Sequence, residues 1–258
     1  MKFQDIGVII DCKKHSESSA IVKVFSKDHG IYKGYVRGAF SKKNRAIFQV
    51  GNLISFEWSS RIEDSLGSFF YCDIVKSYSG KIIFDRLRLS CFLSLISIID
   101  KNFHERDVLC ETYDRLVKFL DSLVDHDISD KNIVIDYIIF EFEILSQLGY
   151  GMDLTRCAVS QKEDDLAYVS PKSGRAVSKE AGEPYSQRIL ELPQFIYIYS
   201  NGLLDEMNIA KQSVTAQDIK NGFKLTGFFL EKHIFAQNSQ CNKHRSDAAK
   251  NINAILQL

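Results

Sequence analysis

The residue types best suited to chemistry gather in residues 27–49, KDHGIYKGYVRGAFSKKNRAIFQ. This segment carries Lys27, Lys33, Arg37, Lys42, Lys43 and Arg45 against one acid, Asp28, with Tyr32, Tyr35, Phe40 and Phe48 interleaved. Cations neutralise phosphates without reading sequence, and aromatic faces stack the bases of a single strand. If residues 31–37 form a strand, its alternation puts Ile31, Lys33, Tyr35 and Arg37 on one face and Tyr32, Gly34 and Val36 on the other. A Lys–Tyr–Arg row of this kind makes a platform for a single strand. The plainer reading is a solvated strand face followed by a charged loop.

Other chemistries find less. No GxxxxGK[ST] occurs, which argues against a nucleotide-driven motor, and no GxSxG or HExxH occurs either. The one tight carboxylate run, Glu163-Asp164-Asp165, has the composition to hold Mg²⁺ for phosphoryl chemistry. Such a run in a polar segment also reads as a solvated loop. Six cysteines, Cys12, Cys72, Cys91, Cys110, Cys157 and Cys241, contain no CxxC pair and are expected as free thiols in a reducing cytosol. Cys157 stands where a ligand of a zinc ribbon would, but Ser160 holds the CxxC position and Ser178 the start of a second pair. A structural zinc takes about four Cys or His ligands, so no metal and no cofactor are expected.

The elements that must position these groups follow from pattern. Residues 6–10, 20–25, 31–36, 53–58 and 68–75 are short runs rich in β-branched and aromatic residues, separated by turn signals that include 61–67. Five strands in about 80 residues predict a small closed barrel of the OB type. Residues 85–102, 105–124 and 131–148 then carry apolar side chains at helical spacing, with Ser129 or Asp130 as N-cap and Gly149 as terminator of the third. Two β-like runs, 166–169 and 176–177, flank Ser170-Pro171-Lys172-Ser173-Gly174 as a hairpin. Helical periodicity returns over 185–200, 216–236 and 243–256, with Thr215 a fair N-cap. The expected class is therefore α+β, divided as a barrel domain (1–80), a central helical domain (81–150), a zinc-finger-like loop without its metal (151–185) and C-terminal helices packed on the central ones (186–258).

The 258 residues hold 33 Lys+Arg and 33 Asp+Glu, 45% hydrophobic and 26% charged, which excludes a disordered chain and a polycation. No membrane span and no export signal are expected. The balance hides an asymmetry. Residues 1–80 hold 12 basic and 8 acidic residues, a net of +4, whereas residues 81–150 hold 8 and 13, a net of −5.

Several blocks together resemble the RecO family of bacterial DNA repair and recombination mediators. They are Gly7-Val8-Ile9-Ile10, His15-Ser16-Glu17-Ser18-Ser19, Val24-Phe25-Ser26-Lys27-Asp28-His29-Gly30 and Val36-Arg37-Gly38-Ala39. Downstream, Phe142-Glu143-Ile144-Leu145-Ser146-Gln147-Leu148-Gly149-Tyr150 with Cys157 close behind resembles that family's junction between helices and cysteine loop. Tyr168-Val169-Ser170-Pro171-Lys172-Ser173-Gly174 resembles the loop of relatives that lack the zinc cysteines. The resemblance implies an OB-fold, a helical body, binding of single- and double-stranded DNA, and annealing of complementary strands. It also implies two partners, RecR and the acidic tail of single-stranded DNA-binding protein (SSB), with which members help load RecA. DNA contact carries over to Lys33, Arg37, Lys42, Lys43 and Arg45, and to Lys27.

An acidic peptide ending in Phe needs an apolar pocket rimmed by cations. The C-terminal helices offer Lys224, Lys232, Lys243 and Arg245 beside Leu225, Phe228, Phe229 and Phe235. Read plainly, these Phe residues are core and the Lys are solvated. The leading expectation is a cytoplasmic binding and annealing protein, not an enzyme. The alternatives are an OB-fold RNA-binding factor and a metal-dependent nuclease built on Glu163, Asp164 and Asp165.

Overall fold

A computed structural model describes residues 1–62, 65–203, 213–237 and 239–256. The chain divides into two compact units, Met1–Ile128 and Ser129–Leu258.

The first unit is built on β1 (Lys2–Lys14), β2 (Ala20–Ser26), β3 (Gly30–Val36), β4 (Leu53–Ser59) and β5 (Gly67–Lys76), closed into a barrel of order β1-β2-β3-β5-β4. This five-stranded closure is the OB architecture. Strand β1 runs well beyond the five residues expected for it. Its polar ends are held extended by ladder partners, β4 along Lys2–Val8 and β2 along Gly7–Lys14, with a bulge between Ile9 and Asp11 where it changes partner. Of the expected turn at 61–67, residues 63 and 64 lie outside the described residues.

The barrel core is Ile9, Val22, Val24, Tyr32, Val36, Ile54, Phe56, Trp58 and Phe69, closed at one end by Ala39 and Phe48. Only two residue pairs join β3 to β5, Gly34–Gly67 and Tyr35–Ser68. A Cβ on Gly34 would meet the Phe69 ring at 2.5 Å, and one on Gly67 would meet the Trp58 ring at 2.2 Å. Glycine at both positions lets the two strands meet over these rings. Beyond the pair, β3 and β5 part.

Three helices complete this unit: α1 (Ser79–Ile82), α2 (Arg86–Asn102) and α3 (Cys110–Val124). Asp85 caps α2 by accepting from the Arg88 backbone N–H at 3.0 Å. The buried Arg88 guanidinium donates to the carbonyls of Leu123, Asp125 and Ile128 at 2.7–2.9 Å, satisfying acceptors at and after the α3 terminus. Helix α3 begins at Cys110, not at 105, because residues before it serve as an edge to the barrel. The Arg106 N–H donates to the Ile31 carbonyl at 2.9 Å, and Glu105 bridges to Ile31.

Helices α2 and α3 are tied to the barrel by Lys23–Asp100, Lys27–Asp114 and the Tyr78 hydroxyl on Asp121. The barrel ends near residue 80, but the compact unit continues to Ile128. Residues 81–150, expected as one central domain, are thus shared between the two units.

In the second unit, α4 (Asp130–Gln147) starts at the expected cap, Ser129, whose hydroxyl accepts from the Asn132 N–H. Gly149, at φ +85°, follows its end. The hairpin β6 (Leu166–Val169) and β7 (Ala176–Ser178) gains a third strand, β8 (Leu190–Glu191), in the order β7-β6-β8. Between them lie α5 (Lys179–Gly182) and a 3-10 turn at Glu183–Tyr185. The helix expected over 185–200 is therefore reduced to α6 (Gln194–Ser200). Leu192 donates to the Ala167 carbonyl in the sheet, and Pro193 sets the new helix start. Next come α7 (Ala216–His233), opened by a Thr215–Asp218 capping box, and α8 (Ser239–Ile255). Helices α7 and α8 pack on α4. All six cysteines are free. No helix among the described residues is long and apolar enough to cross a membrane.

Candidate nucleic-acid interface

Strand β3 alternates as its sequence requires. Tyr32, Gly34 and Val36 are buried in the barrel, while Lys33 and Tyr35 are half-buried on its outer face and Arg37 is exposed. Ile31 shares the outer face but is buried, because the segment through Glu105 lies across it.

The basic loop after β3 is shaped from below. Gly38 takes φ +68°, and its carbonyl accepts from the Asn44 side-chain amide at 3.1 Å. Buried Asn52 donates to the Ala46 and Ile47 carbonyls at 2.8 and 3.2 Å and accepts from the Ser77 and Ser79 hydroxyls. Ala39 and Phe48 sink into the core at either end of the loop. The residues between them that carry charge, Lys42, Lys43 and Arg45, are exposed. Sequence alone does not single out Asn44 and Asn52. Their signal is weak: one polar residue in the middle of the loop and one at its end, with no spacing that marks them.

The seven residues expected to meet DNA fall into two groups. Lys27 pairs with Asp114 at 2.9 Å, and Lys33 pairs with Glu105. Each pair is about half exposed, so it is worth little in stability but lowers the local field. Tyr35 stands edge-on to His15, with ring centroids 5.8 Å apart. Arg37, Lys42, Lys43 and Arg45 make no ion pair with any described residue, so these four are the cations open to phosphate.

The residues expected around a peptide pocket are also split. Lys224, Lys232 and Lys243 are exposed and Phe228 is half-buried, with Phe229 in the core beside it. Lys232 donates to the Pro171 carbonyl at 2.9 Å. Arg245 is not a rim cation. It is only 7% exposed, and donates to both Glu141 oxygens at 2.7 and 3.0 Å and to the Phe223 carbonyl at 2.6 Å. The Tyr137 and Thr226 hydroxyls complete the shell of Glu141. Burial opposes the Arg245 charge, but the Glu141 carboxylate outweighs it and holds the guanidinium above its usual value. The physical reason is the face it occupies. Cys241, Arg245, Ala248 and Ile252 recur at helical spacing and are all buried.

Cys157 is buried, and its sulfur accepts from the backbone N–H of Val159, Ser160 and Ser178 at 3.2–3.4 Å. The Ser178 hydroxyl lies 3.5 Å away. Burial pushes this thiol up, but the hydrogen bonds from Ser160 and Ser178 outweigh it and bring it down to about 6 from 9.0. The unfolded chain then binds more protons than the folded one between pH 6 and 9. Stability should rise with pH across that window, and the contribution is lost as pH falls through about 6. Thiolate absorbance titrating near pH 6, and absent from Cys157→Ser, checks this; a thiol that stays protonated to pH 9 would contradict it.

Glu163, Asp164 and Asp165 are exposed. Among the described residues, no group of three or more His, Cys, Asp or Glu side chains is placed to share a metal ion.

A closed five-stranded barrel with a free basic loop, joined in sequence to a helical unit with a small three-stranded sheet beside Cys157, defines the class. The family model "Recombination protein O N terminal" matches residues 1–78, and "Recombination protein O C terminal" matches residues 83–240. The DNA repair protein RecO of Rickettsia conorii is 40% identical over 241 residues, 93% of this chain and 94% of that one. Those of Rickettsia rickettsii and Rickettsia bellii are 40% and 38% identical over 93% of this chain. The chain belongs to the RecO family and has a role in DNA repair and recombination.

Proposed function

We propose that this protein binds single- and double-stranded DNA through the loop that follows β3 and anneals complementary strands without hydrolytic chemistry. The observation that carries the reading is the set of four exposed cations, Arg37, Lys42, Lys43 and Arg45, free of ion pairs with described residues on a loop pinned by the side-chain hydrogen bonds of Asn44 and Asn52. Neutralising phosphates on two strands lets them approach, and counterion release supplies the driving force without ATP. Lys33 and Tyr35, on the outer face of β3, lead toward this loop as secondary contacts, and Lys27, in the turn at the far end of the strand, extends the basic track; the two lysines are reached by exchange of the Glu105 and Asp114 pairs.

In this reading the protein acts in the cytoplasm as a recombination mediator with RecR and SSB, and helps load RecA. Lys224 and Lys232, one turn to either side of Phe228 on α7, and exposed Lys243 on α8 offer the SSB tail its cations. The cysteine loop keeps its form without metal, since Cys157 is already supplied with backbone donors. Mixing complementary oligonucleotides, bare or coated with SSB, tests the proposal. Annealing faster than the spontaneous rate in both cases, without nucleotide, is expected; no acceleration of bare strands would contradict it.

A further inference from the structure

Tyr71 is the most exposed aromatic side chain of the barrel, at 82%, and its backbone sits at φ +48°. A bulky residue rarely adopts this left-handed conformation, which is strained for any side chain with a Cβ. The strain arises where β5 carries an extra residue against β4: Ser55 pairs with Asp73 and Glu57 with Phe70, leaving Tyr71 and Cys72 opposite one position. The ring recovers nothing by burial. Glycine or asparagine would fill the position at less cost, so the tyrosine is not explained by folding.

The bulge turns Tyr71 toward an opening in the barrel wall. Strands β3 and β5 part after Tyr35–Ser68, and a cleft of about 400 Å³ opens there. Val36 and Phe69 line its apolar part, Arg37 and Lys43 one side, Tyr71 and Asp73 the other. That volume lies within the usual range for a small-ligand site, roughly 300–1,000 Å³. Arg37 and Lys43 are two of the four free loop cations. Among the described residues Asp73 is the one acid lining the cleft, so an anionic group is directed to the Arg37–Lys43 side.

We infer that Tyr71 is a stacking residue for an unpaired nucleobase of single-stranded DNA, whose adjoining phosphate lies on Arg37 and Lys43. This rests on the DNA-binding reading above and deepens it. The loop cations alone do not distinguish a single strand from a duplex. A base inside a duplex is already stacked and paired on its neighbours, so a ring that takes one base at a time adds affinity for single strands. The same ring would hold a strand with its base edges turned outward, accessible to a complementary strand.

Binding of the full chain to an oligothymidylate, and to a sugar–phosphate oligomer of the same length without bases, tests the inference. Tyr71→Ala should weaken oligothymidylate binding about tenfold, the effect of one lost base–aromatic stack, and shrink the preference over the abasic oligomer by the same factor. Tyr71→Asn, which tolerates positive φ but has no ring, should behave as Tyr71→Ala, so a change in backbone strain is separated from loss of the ring. Tyr71→Phe should restore most of the preference. If both ringless variants keep the parent's preference while loss of the loop cations weakens binding, the stacking role is overturned and the DNA-binding reading stands. If they weaken both oligomers equally, the ring acts on the shape of the loop and the inference is again overturned. If neither the Tyr71 variants nor loss of the loop cations weakens binding, the barrel reading itself falls.

Discussion

Arg245→Ala is expected to destabilise the Ser129–Leu258 unit by about 3–5 kcal/mol, because it leaves Glu141 charged and buried. Two of the carboxylate's donors come from the lost guanidinium, and among the described residues only the Tyr137 and Thr226 hydroxyls remain. The double replacement Glu141→Leu with Arg245→Met removes both charges and should recover most of the loss. Denaturant midpoints of the three proteins check this. A single variant as stable as the parent would mean that the pair is not buried as described.

The same pair shows where sequence reasoning stops. Arg245 follows Lys243 near the end of the chain and reads there as one more surface cation. What makes it a core residue is its phase with Cys241, Ala248 and Ile252, and the partner that makes burial tolerable lies 104 residues away on α4. The short apolar spacing was visible; the partner was not. The barrel was legible because its five runs are β-rich and separated by turn residues, and β3 alternates cleanly. The length of β1 was not, because its polar ends are extended only by their pairing with β2 and β4. Pro193 was a visible stop inside the run expected as helix over 185–200, and it does end the sheet segment and start α6.

Within the candidate site, the residue types were legible and their availability was not. All six cations of residues 27–49 look alike in sequence. Glu105 and Asp114 neutralise Lys33 and Lys27 from 72 and 87 residues away, and only the folded chain shows which charges remain. In sequence Tyr71 is one residue of the β-like run 68–75. Its exposure follows from a bulge, which depends on the register of β5 against β4.

Arg37, Lys42 and Lys43, changed together to Ala, should leave the fold intact, since all three side chains are exposed and make no ion pair with a described residue. Their effect on DNA is expected to be large. Four phosphate contacts on a single strand predict a slope of log K against log[salt] near −3, at about −0.7 per contact. Losing three of them should reduce its magnitude by about 2 and weaken binding to all sequences alike, because phosphate contacts carry no sequence information. Strand annealing should fall in parallel. Binding of an SSB-tail peptide should persist, since Lys224, Phe228, Lys232 and Lys243 belong to the other unit.

The salt dependence of single-strand binding, for parent and triple variant, is the most direct test that the loop after β3 is where this protein holds DNA. A parent slope near −3 that drops to about −1, with an unchanged thermal transition, is the result predicted. A folded triple variant with the parent's slope and affinity would contradict it, and would return the row to a solvated face of the barrel.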